Sequence, residues 1–227
     1  MKKRIITAAF LTIVLAAAIS YFCFFRSKPV RIACVGDSIT WGAYQKNRSR
    51  ECYPARLQQY LENSYLVKNF GVNSATVQSD GDTPYRDQKA FKNSAAFSPD
   101  VVFLMLGTND TKTQNWKDAA SFRDAYAALT DYYLSLPSHP KVYILTPPPV
   151  FSLEGDGQIR FSMHQENLAQ EIIVMKEIAR ERDITVIDIN KALTGQSRYF
   201  SLDGVHPDSE GAKIIAQTVY KSFKQKD

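Results

Sequence analysis

The 227 residues of this chain include only three cysteines and three histidines. Cys23, Cys34 and Cys52 are too few for a disulfide framework, and the spacing of Cys34 and Cys52 allows a bridge without demanding one. No Cys/His cluster has metal-ligand spacing, so no metal site is legible. A surplus of charge is also missing. Of 28 Lys and Arg, five (Lys2, Lys3, Arg4, Arg26 and Lys28) fall within residues 1–28, a stretch without an acid. The remaining 23 equal the 23 Asp and Glu, so residues 29–227 are formally neutral. Net charge therefore gives no support for a nucleic-acid partner.

Charge is absent in another sense from Ile5 to Phe25, an apolar run long enough to cross a bilayer as a helix. Lys2, Lys3 and Arg4 ahead of it favour a cytoplasmic N-terminus with the following domain on the far side. A cleaved signal peptide is the rival reading. Ala16-Ala17-Ala18 offers small residues to a peptidase, but the apolar run continues through Tyr21, Phe22, Phe24 and Phe25. Cys23 lacks the preceding small residues of a lipoprotein signal, and a buried helix of the fold is a third reading. The expectation is a membrane anchor or signal segment at 1–28 and one domain at 29–227. The domain is then exported, either membrane-anchored or, after cleavage, secreted or periplasmic. The remaining length suits a single well-buried core. Nothing in the pattern speaks to oligomeric state.

From residue 30 onward strands and helices alternate. Val30–Val35, Tyr65–Phe70, Val101–Leu106, Lys141–Thr146 and Ile184–Ile189 read as short strands. Val101–Leu106 is continuously apolar, as expected of a central strand covered on both faces. Helical stripes fall at Tyr53–Leu61, at Ala119 to Tyr133, at about Gln165 to Arg180 and at Ser209–Phe223. This order predicts a parallel sheet of about five strands with helices on both faces. Ligands of such sheets sit beyond the carboxyl ends of the strands.

The strand ends carry polar residues suited to acyl transfer. Gly36-Asp37-Ser38 follows the first strand, and Asn69 to Thr76 the second. Gly107-Thr108-Asn109-Asp110 follows the third, three prolines the fourth, and Asp203-Gly204-Val205-His206-Pro207 the fifth. Taken singly, each set reads as ordinary turn and cap chemistry. A serine nucleophile needs a base, and the base needs a group that fixes its tautomer. His139 precedes a strand and so lies at the wrong end, and His164 reads as a surface residue. His206 lies at the right end, and a turn at Gly204 would bring it beside Asp203. Donors for an oxyanion are the Asn109 amide, the Ser38 N–H and an N–H in the Gly71–Thr76 loop. Asp37 and Asp110 read as loop-holding residues with no chemical step.

Taken together and in order, these segments resemble the SGNH, or GDSL-type, hydrolases from about residue 31 to 223. Gly36-Asp37-Ser38 is similar to the family's first block, Gly107 to Asp110 to its third and Asp203 to Pro207 to its last. The resemblance implies a three-layer, flavodoxin-like α/β sandwich and a serine esterase without metal or cofactor. It implies Ser38 as nucleophile, His206 as base, Asp203 as its orienting acid, and an oxyanion hole of Ser38, Ser74 and Asn109. Ser74 is a departure, because the family usually has Gly there. Positive φ at that site would burden Ser, and its hydroxyl would narrow the acyl pocket.

The wording of "NFGVNSATV" and "LGTNDTKTQNW" is similar to the carbohydrate and sialate O-acetylesterase branch. That implies a small acyl ester, acetyl first, on a glycan or other small molecule. Tyr44, Tyr85 and Trp116 are the candidate sugar-stacking residues, against the plainer reading that they simply pack. Lysophospholipase or thioesterase activity is the enzymatic alternative. A membrane-tethered glycan-binding domain is the non-enzymatic one.

Overall fold

The computed structural model describes residues 28–152 and 157–225. The expected anchor or signal segment, with Cys23, therefore lies outside the described residues apart from Lys28. Among the described residues no helix is long and apolar enough to cross a membrane.

In chain order the elements are β1 (Val30–Gly36), α1 (Ser38–Trp41), α2 (Arg48–Glu51), α3 (Tyr53–Leu61) and β2 (Tyr65–Gly71). Then come α4 (Lys89–Ala96), β3 (Val101–Met105), α5 (Ala119–Leu134), β4 (Lys141–Leu145) and α6 (Gln165–Glu181). β5 (Thr185–Ile187), α7 (Ile189–Leu193) and α8 (Ser209–Lys224) follow, the last among the described residues. Helix α4 has no counterpart in the sequence reading because it is short and Ser94 interrupts its inward side of Ala90, Phe91 and Ala95. The last strand is shorter than its apolar run, because Asp188 caps α7 by accepting from the Lys191 N–H.

All five strands are parallel, in the order β2-β1-β3-β4-β5. The period-2 alternation of side chains divides the core between two faces. Ile32, Cys34, Val101, Phe103 and Met105 meet α3 and α8 through Tyr53, Leu57, Ile215, Val219 and Phe223. Ala33, Val35, Val102 and Leu104 meet α5 and α6 through Phe122, Tyr126, Leu129, Met175 and Ile178. The result is the expected three-layer sandwich. Strand β3 is buried along its whole length, and burial of Phe103 alone stabilises the fold by roughly 1.5–3 kcal/mol.

The chain leaves β1 for β2 on one side and continues to β3 on the other. A crevice opens at this reversal, beyond the carboxyl ends of β1 and β3. Cys34 and Cys52 are both buried free thiols, so the bridge that their spacing allows is not formed.

Candidate active site

The first strand ends at Gly36, and Asp37 caps α1 by accepting from the Ile39 N–H at 2.9 Å. Ser38 is thus the first helical residue, and its N–H has no carbonyl one turn back to bind. The cap and the candidate nucleophile are therefore separate residues. The neighbouring β2 must come close for this to work: a Cβ on Gly71 would run into the backbone nitrogen of Trp41.

The last polar segment folds back on itself. Asp203 Oδ1 accepts from the N–H groups of Val205, at 2.9 Å, and His206, at 3.0 Å. Gly204 takes φ +70°, a left-handed conformation that Gly adopts without steric cost. Asp203 Oδ2 stands 2.7 Å from His206 Nδ1, and His206 Nε2 stands 2.8 Å from Ser38 Oγ. An ionised carboxylate only accepts, so Nδ1 carries the proton and Nε2 is free to accept from the serine. Burial works against ionisation of Asp203, but the hydrogen bonds from the His206 ring and backbone and from Val205 outweigh it. Its carboxyl is held below the ordinary range.

Asn109 and Ser74 complete the crevice. Asn109 is buried at the tip of β3, with its side-chain N–H on the Ala75 carbonyl at 3.1 Å. The amide has a second N–H. Ser74 takes φ +62°, so the backbone at this position is left-handed. Ser38, Asn73, Ser74, Asn109, Phe161 and His206 are among the residues lining a cleft of about 210 Å³.

Asp37 and Asp110 do hold loops. Burial pushes Asp37 up to about 6, against the pull of the Ile39 N–H and the nearby Thr108 hydroxyl and His206 ring. Burial pushes Asp110 up to about 7, opposed by N–H bonds from Gln78 and Val77 and reinforced by the charge of Asp37.

The three aromatic candidates separate. Tyr44 is 65% exposed, lines the cleft and lays its ring 4.9 Å from the His206 imidazole. Tyr85 is fully buried, with its hydroxyl on the Phe70 carbonyl, and offers no face to a sugar. Trp116 packs beside Phe122 at the edge of the second core and is not among the cleft-lining residues. For both, the packing role replaces the expected sugar contact. His164 is half-exposed at the start of α6, against Thr113. Phe161, 46% exposed and edge-on to His206 at 6.0 Å, was not foreseen. It lies in an irregular stretch with no periodicity to mark it.

The GDSL-like lipase/acylhydrolase family model matches residues 34–214. The chain belongs to this family. An acetylxylan esterase of Xylanibacter ruminicola is 32% identical to it over 217 residues. That match covers 88% of this chain and 44% of the relative, so the chain spans less than half of that protein's length. A carbohydrate acetylesterase family member from Sinorhizobium meliloti superposes with a TM-score of 0.69 at 22% identity. That alignment covers 86% of this chain and 97% of the other. An aryl esterase of M. smegmatis gives 0.72 at 20% identity, over 86% and 98%. These two likenesses show a shared fold. In this GDSL family member Ser74, with φ +62°, stands where the resemblance leads to the expectation of Gly.

Proposed function

We propose that this GDSL hydrolase removes small acyl groups, acetyl above all, from carbohydrate esters through Ser38, His206 and Asp203. The observation that carries this reading is the unbroken relay from Ser38 Oγ through the imidazole to the Asp203 carboxylate, opening on a small cleft. His206 Nε2 takes the serine proton as Oγ bonds to the ester carbonyl carbon. The carbonyl electrons move to oxygen, which the N–H groups of Ser38 and Ser74 and the Asn109 amide receive. The C–O bond to the alcohol then breaks, and His206 returns the proton to the leaving oxygen. Water, deprotonated by the same ring, then bonds to the acyl carbon, the bond to Ser38 Oγ breaks, and His206 returns the proton to Oγ as the acid leaves.

Cleft size supports the acyl assignment. The cleft is small, and Ser74 stands in its wall. A wider cleft of about 540 Å³ adjoins it, sharing Tyr44 and Phe161 and edged by Leu202, with room for the alcohol half of the ester. The exposed Tyr44 ring is suited to a sugar face. The test is product release from acetylated xylo-oligosaccharides, lysophosphatidylcholine and acyl-thioesters in parallel. Acetate from the first at least about tenfold faster than acid from the others is the expected result, a gap of about 1.4 kcal/mol in barrier. Preferential release of long-chain acid overturns the carbohydrate reading in favour of the lysophospholipase one.

Ser74→Gly probes the same wall. A left-handed non-glycine residue costs about 1–2 kcal/mol, partly offset by the greater freedom Gly has when unfolded. The variant should be more stable by about 0.5–1 kcal/mol, a rise of a few degrees in Tm. With the hydroxyl gone, the ratio of butyryl to acetyl ester turnover should rise several-fold, as expected for about 1 kcal/mol of relieved crowding. An unchanged ratio removes Ser74 as the acyl-length determinant.

A further inference from the structure

We propose that Asp110 is a positioning residue that fixes the gap between two of the three oxyanion donors, the Ser74 N–H and the Asn109 amide, by holding the Ser74 loop against Asn109. The proposal rests on the site reading above and assigns to Asp110 no contact with substrate.

Asn109 and Asp110 are consecutive in the turn after β3, closed by the Asp110 N–H on the Gly107 carbonyl at 2.8 Å. Both grip the other loop just beyond Ser74. Asn109 Nδ2 donates to the Ala75 carbonyl at 3.1 Å. Asp110 Oδ1 accepts from Val77 N–H at 2.9 Å and Gln78 N–H at 3.0 Å, and Oδ2 is 3.0 Å from Val77 N. A second strap runs through Asn115. Its Nδ2 donates to the Asn109 carbonyl at 2.8 Å, while Gln78 Nε2 donates to the Asn115 carbonyl at 2.8 Å. Gln78, Asn109, Asp110 and Asn115 are all buried, so the ring of contacts is shielded from water.

Three features make a carboxylate the group this ring requires. The Ser74 backbone is left-handed, and such a conformation persists only where its surroundings impose it. Two N–H groups converge on one side chain; a carboxylate accepts from both, whereas an amide would turn its own N–H against one of them. The titratable neighbours that act on Asp110 or are acted on by it, Asp37, Glu171 and Tyr126, supply no positive charge. Backbone N–H groups of Gln78 and Val77 are therefore what opposes the penalty of burying its charge, and the same bonds place the loop.

The experiment compares hydrolysis of 4-nitrophenyl acetate with binding of a small boronic acid by the full chain. Ser38 Oγ adds to boron, its proton passes to His206, no bond to boron breaks, and one boron oxygen enters the oxyanion hole. Asp110→Asn should lower kcat about 10–100-fold with KM within about threefold, and weaken the boronic acid by a similar factor, because only the transition-state contact is lost. Asn109→Ala should lower both by about 100-fold or more. The double variant should lose little beyond the larger single loss, since Asp110 acts through the same hole. A folded Asp110→Asn enzyme with unchanged boronic acid affinity, or losses that multiply in the double variant, overturns the proposal. Should Asp110→Asn fail to fold, Asn115→Ala takes its place, with a parallel loss of about fivefold in kcat and boronic acid affinity expected. An Asn115→Ala enzyme unchanged in both then overturns the proposal. If Asn109→Ala leaves both measurements unchanged, the reading of the hole falls, and the role of Asp110 falls with it.

Discussion

Ser38→Ala should abolish ester hydrolysis, lowering kcat by about 10⁴–10⁶-fold while leaving KM within a few-fold. The size follows from the geometry. With Oγ removed, His206 has no alcohol 2.8 Å away to deprotonate, and no acyl-serine can form. What remains is direct attack by water in a site built for a serine. The fold should survive, because the cap of α1 belongs to Asp37 and not to Ser38. A fluorophosphonate probe makes the check direct. The unaltered enzyme takes one covalent label at Ser38, and the alanine variant takes none. Turnover above about 1% of the original in a variant free of contaminating enzyme would place the nucleophile elsewhere.

The second large effect is expected at Asp203. Asp203→Asn keeps the side-chain shape but should lower kcat by about 10³–10⁴-fold, because the amide favours the wrong imidazole tautomer. An Asn oxygen can accept either from the Val205 and His206 N–H groups or from His206 Nδ1, whereas the carboxylate serves both. The loss should carry a pH signature in stability. The Asp203 carboxyl is held below its unfolded value, so its contribution is complete above the unfolded pKa and is lost as pH falls through the folded one. The variant should therefore melt below the unaltered enzyme at neutral pH, with the gap closing in acid. Equal melting temperatures at pH 7, together with kcat within tenfold, would remove Asp203 from the relay.

The two halves of the site were unequally legible. Ser38 and Asn109 stand directly after runs of buried strand, so the chain pattern alone places them at one edge of the sheet. His206 follows the last strand at a distance, after α7 and an irregular stretch. Only the Asp203-Gly204 turn carried a local signal there. Asp110 looked like one more turn residue, because its partners Val77 and Gln78 lie more than thirty positions earlier.

Local chemistry therefore decided most elements of this protein: alternating apolar runs set five strands and the four longest helices, and turn residues set where each strand stops. Family membership was also legible, because its short blocks fall in order at those stops. Tertiary structure decided what each polar or aromatic side chain meets. Tyr44 and Tyr85 have the same side chain, yet one stands exposed against the His206 ring and the other lies fully buried beneath α4. Periodicity along a chain is a property of neighbours in sequence. Burial, and the distance from an imidazole to an alcohol, are set by segments that only folding brings together.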